Sequence, residues 1–298
     1  MNKALAAIAA IVCVCVMLTG CTYVQPAQGS TLVVASFYPV YIFTLNLVEG
    51  TDIRVESLTR QSVGCLHDYR LLTGDVRLLS DADLFVMNGA GLESFTQDLL
   101  ERLPELKTVD SSVSAELLYS EQDAASHLSN ANSHIWMSVK NAQVQVNNIC
   151  AALKQLCPDY ASVLEANRAA YISRLEQLHK QLEESSRVLG DVPVITFHEA
   201  YDYMARELAL NIVGSIESDE GGEPTARELG ELTRLIADKQ VRALYVEPDY
   251  TGSAAGILAA ETGARVLTLN PVTSGEATLT AYEDIMRGNI AIITEESF

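Results

Sequence analysis

Between Asp159 and Leu189 the sequence allows only one kind of structure. Tyr160, Val163, Leu164, Ala170, Tyr171, Leu175, Leu178, Leu182 and Val188 mostly follow i, i+3, i+4 spacing, with charged residues between them. That period belongs to an amphipathic helix. At 1.5 Å per residue, about 30 residues make a rod of about 45 Å, longer than a small domain. Such a rod is expected to span two domains. Asn167 is the one polar residue where the stripe calls for an apolar one, and His179 falls on the polar side.

On both sides of the rod the pattern alternates between short apolar runs and helical spacing. Before it, residues 31–36 (TLVVAS), 53–59 (IRVESLT), 84–89 (LFVMNG) and 106–112 (LKTVDSS) read as strands. Helices are expected after Tyr38, around 75–82, over 93–103 and over 139–156, with a polar stretch at 120–134 (SEQDAASHLSNANSH). After the rod, 192–198 (VPVITFH), 211–216, 243–248 (ALYVEP) and 265–271 (RVLTLNP) read as strands, separated by helices over 199–210, 225–239 and 252–263. A last helix starts near Thr278. Strand–helix alternation of this kind predicts α/β architecture: two lobes with mostly parallel sheets flanked by helices, joined by one long rigid helix. The expected boundaries are 31–157 for the N-terminal lobe, 158–190 for the linking helix and 191–298 for the C-terminal lobe.

The N-terminus bears on where the chain works. Lys3 precedes an apolar run from Ala4 to Leu18, then Thr19-Gly20-Cys21. A positive start, a short apolar core and small residues before a cleavage point make a secretory leader. The run is shorter than the roughly 20 residues of a membrane span. Leu18-Thr19-Gly20-Cys21 also fits a bacterial lipobox, with residues 1–20 removed and Cys21 lipidated. Residues 21–30 then form a polar tether, and the protein is expected at the outer face of the cytoplasmic membrane, held there by its lipid.

The net charge is −19, from 20 basic and 39 acidic side chains, and loss of Lys3 would make it one unit more negative. Such a surface excludes nucleic acid as a partner, because phosphate contacts need clustered Lys and Arg. Of six cysteines, Cys13 and Cys15 leave with the leader and Cys21 takes lipid. Cys65, Cys150 and Cys157 remain, so no disulfide framework is implied. Cys150 and Cys157 stand about 10 Å apart if their helix is regular, too far to bridge unless it breaks before Pro158.

Five histidines carry the chemistry. His198 ends strand 192–198, His67 follows strand 53–59, and His134 precedes the helix at 139, beside the only tryptophan, Trp136. Open α/β sheets bind ligands at the carboxyl ends of their strands. Three imidazoles at such positions suit Zn²⁺, while three separately hydrogen-bonded structural histidines fit the same spacing. His127, in the polar stretch, and His179 read as surface residues.

Several segments together, FYPVY (37–41), LHDYRLLTGDVRLLSDADLFVMNGAGLE (66–93), HIWMSVKNAQ (134–143), FHEAYDYMARELAL (197–210), EPTARELGELTRLI (223–236) and LYVEPDY (244–250), resemble the cluster A-I metal-binding lipoproteins of zinc and manganese ABC transporters. The likeness runs in order through essentially the whole mature chain. It implies two α/β lobes holding one metal between them, with His67, His134 and His198 as ligands. It further implies a monomer that delivers Zn²⁺ to a membrane permease driven by an ATPase. Histidine rather than glutamate at 198 accompanies zinc in that family, and imidazole suits zinc where oxygen donors suit manganese.

Two departures stand out. The family's Asp-Pro before the first histidine is Cys65-Leu66 here, which puts a thiol near the site. The family's late acidic ligand falls on Asn270, so the fourth position goes to Asn270, a water or Glu247 from the neighbouring strand end, with Glu247 placed rather as an outer partner that orients a histidine. The alternatives are a manganese-binding homologue, a metal-dependent adhesin and a zinc hydrolase. The hydrolase lacks support: His198-Glu199 begins an H-E-x-x-H motif, but the fifth position is Asp202. There is no G-x-S-x-G elbow, and Gly89-Ala90-Gly91 lacks the rest of a dinucleotide fingerprint. The chain is therefore expected to be no enzyme.

Overall fold

Among the described residues eight short strands form where β-branched and aromatic residues concentrate, and they assemble into two sheets. The computed structural model describes residues 30–59, 69–119, 131–189, 191–216 and 224–296. In the first sheet β1 (Leu32–Ala35), β2 (Arg54–Ser57), β3 (Leu84–Met87) and β4 (Lys107–Asp110) lie in the order β2-β1-β3-β4. In the second, β5 (Pro193–Thr196), β6 (Asn211–Ser215), β7 (Ala243–Val246) and β8 (Arg265–Thr268) repeat that plan as β6-β5-β7-β8. All pairings are parallel. Central β1 (LVVA) and β7 (ALYV) are buried throughout, as strands covered on both faces should be, whereas edge strands β2 and β4 keep charged residues in water. Within each sheet the strand order reverses direction between the two central strands. In open α/β sheets ligands bind outside the carboxyl ends of the strands at such a point.

The helices are α1 (Tyr38–Val48), α2 (Thr73–Ser80), α3 (Gln97–Leu100), α4 (Val139–Leu156), α5 (Ala161–Leu189), α6 (Asp202–Leu208), α7 (Ala226–Lys239), α8 (Ala254–Thr262) and α9 (Ala281–Glu296). None of the described helices is long and apolar enough to cross a membrane. The expected helix over 93–103 shrinks to one 3₁₀ turn, Ser94–Thr96, followed by the four residues of α3. Two local demands win there. Gly89, Ala90 and Gly91 all take positive φ, so the chain wraps back and the Glu93 carboxylate accepts from Asn88 N at 2.7 Å and Gly89 N at 3.1 Å. Pro104 then disfavours helical geometry at Leu103.

Helix α5 is the expected rod, 29 residues or about 43 Å long. Its buried face is Leu164, Tyr171, Leu175, Leu178, Leu182 and Leu189. Val163, Ala170 and Val188, counted into the stripe from the sequence, point to solvent, each one residue or about 100° from a buried neighbour. Asn167 is explained by its partners: Nδ2 donates to Leu47 O at 2.9 Å and Glu49 O at 2.8 Å, satisfying carbonyls at the end of α1.

One apolar core runs through both halves, from Val33, Ala35 and Phe43 through Tyr171, Leu175 and Leu178 to Val194, Tyr245, Tyr282 and Met286. The Phe43 and Tyr282 rings meet edge-on at 5.0 Å. Polar ties cross the same seam: Tyr38 Oη donates to Glu276 O at 2.7 Å, and Asn46 Nδ2 to Leu279 O at 3.0 Å. Arg174 of α5 reaches Glu283 of α9 at 2.7 Å and also donates to Asn46 Oδ1 of α1. Cys150 and Cys157 are free thiols, although α4 ends at Leu156 and leaves Cys157 outside it.

Candidate metal site

His198 and Glu247 come together because of strand pairing. In the second sheet Thr196 of β5 lies opposite Tyr245 of β7, and Phe197 N donates to Tyr245 O at 2.9 Å. Two residues past Thr196 and two past Tyr245 the side chains emerge side by side, with His198 Nδ1 2.6 Å from Glu247 Oε1. An ionised carboxylate only accepts, so Nδ1 donates the hydrogen; in the neutral ring the lone pair then sits on Nε2, the state a metal needs. Both side chains are partly shielded, at 18 % and 25 % exposure.

His134 comes from the first half. It precedes a 3₁₀ turn, Ile135–Met137, which Ser138 follows as the N-cap of α4, its Oγ accepting from Asn141 N at 3.1 Å. Trp136 anchors the turn: its Nε1 donates to Pro271 O at 2.8 Å, its carbonyl accepts from Tyr282 Oη at 2.8 Å, and Phe37 packs edge-on against its ring at 4.7 Å. Both donors to and acceptors from the second half therefore fix a segment of the first. The His134 side chain is 1 % exposed, its ring centroid 4.6 Å from that of His198, with the planes at 84°. Its Nδ1 lies 2.9 Å from Asn132 Oδ1 and 3.6 Å from Glu199 Oε1.

The surroundings are acidic and well packed. The Tyr201 hydroxyl donates to Leu269 O at 2.5 Å, and its pKa is pushed well above the usual phenol value by burial, then by the Glu247 charge. Glu207 accepts from Ser138 Oγ at 2.5 Å and from Val139 N and Lys140 N at 3.3 Å each. It thus caps the positive end of α4 from α6. His179 is corrected here: it is no solvated surface residue but 17 % exposed, with Nδ1 3.8 Å from Glu207 Oε2 and Nε2 3.4 Å from Glu183. At its level α6 covers what the helical period leaves as a polar face.

His67, Cys65, Cys21 and His127 lie outside the described residues. Asn270 follows β8, where its Oδ1 accepts from Val272 N at 2.8 Å and supports the positive φ of Val272. Its backbone is clamped both ways by the Asn289 side chain. Among the described residues no three His, Cys, Asp or Glu side chains gather into a metal-holding group. The described portion is a pair of imidazoles, one from each half, each with an oxygen acceptor at Nδ1: Asn132 Oδ1 at 2.9 Å for His134 and Glu247 Oε1 at 2.6 Å for His198. Sequence reading missed Asn132 and Glu199. The first sits in a polar stretch that resembles a linker, although Glu199, directly after His198, was signalled by its position.

The chain matches the family described as "ZnuA: Zinc-uptake complex component A periplasmic" over residues 33–296. It is 28% identical over 267 residues to the zinc-binding lipoprotein AdcA of Streptococcus pneumoniae, covering 86% of this chain and 53% of that one. It is 29% identical over 279 residues to the high-affinity zinc uptake system protein ZnuA of Bacillus subtilis, covering 89% and 87%. The chain thus spans about half the length of the streptococcal relatives it matches. Among solved structures, the Zn(II)-bound ZnuA-like domain of S. pneumoniae AdcA superposes with a TM-score of 0.76 at 28% identity, covering 90% of this chain and 99% of that one. With the family model matched from β1 through α9, this chain belongs to the family of periplasmic A components of zinc-uptake complexes.

Proposed function

We propose that this chain captures Zn²⁺ between its two halves and delivers it to an ABC importer, a permease driven by a cytoplasmic ATPase. The family is one of solute-binding proteins, so the hydrolase reading is set aside. In this reading the ligands are His67, His134 and His198, with Asn270 or a water in the fourth place and Glu247 orienting His198. One observation carries it: imidazoles far apart in the chain meet at 4.6 Å where the halves join. Zn–N bonds of about 2.0–2.1 Å in tetrahedral geometry fit two ring nitrogens converging from such a pair. The three imidazole donors favour zinc over manganese. Because Asn270 Oδ1 already accepts from Val272 N, any bond it made to the metal would use its second lone pair. Residues 1–20 serve as leader, 21–30 as tether, and a lipid on Cys21 holds the protein at the outer face of the cytoplasmic membrane. No observation favours adhesion.

The test is zinc affinity measured by competition with a chromophoric chelator on wild type, His134→Ala and His198→Ala. Each variant is expected to lose more than the roughly 10–100-fold that deleting an outer-shell partner costs. Wild-type affinity in either variant would remove that histidine from the site.

A further inference from the structure

We infer that Asn132 is the positioning residue that fixes which nitrogen of His134 bears the proton and holds His134 against His198, an inference that rests on the zinc reading above. The amide is 7 % exposed and every polar group it has is engaged. Its Oδ1 accepts from His134 N at 3.0 Å and lies 2.9 Å from His134 Nδ1. Its Nδ2 donates to Glu199 O at 3.0 Å and Asp202 Oδ2 at 3.1 Å. Its own N donates to Leu118 O at 2.8 Å, and its own carbonyl accepts from Tyr203 Oη at 2.7 Å.

The polarity of this arrangement is not a matter of choice. Asparagine oxygen and nitrogen can be exchanged in an assignment unless their partners decide. Here they do: a backbone N–H can only donate, so the atom facing His134 N is the oxygen. A backbone carbonyl can only accept, so the atom facing Glu199 O is the nitrogen. An amide oxygen cannot donate, and His134 Nδ1 beside it therefore carries the hydrogen. In the neutral ring that places the lone pair on Nε2. The Glu199 carboxylate lies farther off, 3.6 Å from the same Nδ1, so the amide oxygen at 2.9 Å is the nearer acceptor and decides the tautomer.

A turn-closing asparagine would need only the bond to His134 N. The other contacts do more, because one side chain ties the loop bearing His134 to residues 199 and 202, directly after His198. Two ligands supplied by different halves thus share one brace, and metal sites are sensitive to such bracing: losing an outer partner typically costs roughly 10–100-fold in affinity.

The experiment uses the metal-free full chain with ¹⁵N-labelled histidine, at a pH above imidazole titration, with His134 assigned by its loss in His134→Ala. Wild type is expected to show His134 protonated at Nδ1. Asn132→Ala should shift the ring toward the Nε2–H form and weaken zinc binding roughly 10–100-fold in the chelator assay. Asn132→Asp keeps the acceptor but loses the brace to Glu199 O, so it should keep the Nδ1–H tautomer while losing affinity. An Nε2–H ring in wild type overturns the inference without any variant, as does Asn132→Ala with wild-type tautomer or wild-type affinity. The ring signal in metal-free protein does not depend on zinc, so a wild type that failed to bind zinc would sink the functional reading and leave the tautomer to be judged by itself.

Discussion

Replacing Arg174 by methionine would leave a carboxylate stranded at the seam between the halves. The Glu283 side chain is 1 % exposed, and its Oε2 is buried with no hydrogen-bond partner. Its Oε1 meets Arg174 Nε at 2.7 Å. The same guanidinium donates to Leu279 O at 3.2 Å and to Asn46 Oδ1, and lies 4.7 Å over the Tyr171 ring. Removing one partner of a buried pair costs about 3–5 kcal/mol. Arg174 is 36 % exposed, so water already screens part of the attraction and the lower end applies, about 3 kcal/mol. Urea unfolding of the metal-free protein would read this loss. It is a large fraction of a typical stability of about 5–15 kcal/mol. Arg174→Met/Glu283→Leu removes both charges and should recover most of the loss, because well-packed apolar pairs often equal or exceed buried ion pairs. A residue of about 1 kcal/mol should remain for the donors withdrawn from Asn46 and Leu279. A single variant losing under about 1 kcal/mol, or a double variant no better than the single, would refute the reasoning.

Three further outcomes are expected. Burial pushes the Glu93 carboxyl up to about 7 from 4.5, against the bonds it accepts from Asn88 and Gly89. Its folded-state pKa is raised, so its contribution is fully present below the unfolded value and is lost as pH rises through about 7. Melts between pH 5 and 8 should show up to about 3 kcal/mol of falling stability, and Glu93→Gln should remove that component; equal slopes in the two proteins would contradict it. Glu247→Ala should weaken zinc binding roughly 10–100-fold by releasing His198, and unchanged affinity would leave the 2.6 Å contact without functional weight. Asn270→Asp keeps an acceptor for Val272 N, so a rise in zinc affinity would place residue 270 on the metal, and no change would place it outside.

The described strands were legible because the central ones are largely apolar runs bounded by turn residues, and the rod because its period repeats over eight turns. Which side of the rod faced inward was less legible: Val163 and Val188 carry the right chemistry one residue from the right angle. The helix at 93–103 failed because a carboxylate was needed at Asn88 and Gly89, a tertiary demand that no local pattern records. At the site, His198 and Glu247 could be paired from their strand ends, since neighbouring parallel strands deliver neighbouring side chains. Asn132 could not, because the polar stretch around it reads like solvated chain, and its burial depends on Tyr203 and Glu199, about 70 residues away.

The interior that threads both sheets also bears on how the molecule comes apart and how it works. Neither sheet keeps its apolar lining if the other leaves, so calorimetry should record a single melting event rather than two. For the same reason, on the zinc reading proposed above, an empty and a loaded molecule should scatter X-rays almost alike, with cargo entering and leaving by local uncovering at the rim, since prising the sheets apart would mean unfolding the protein.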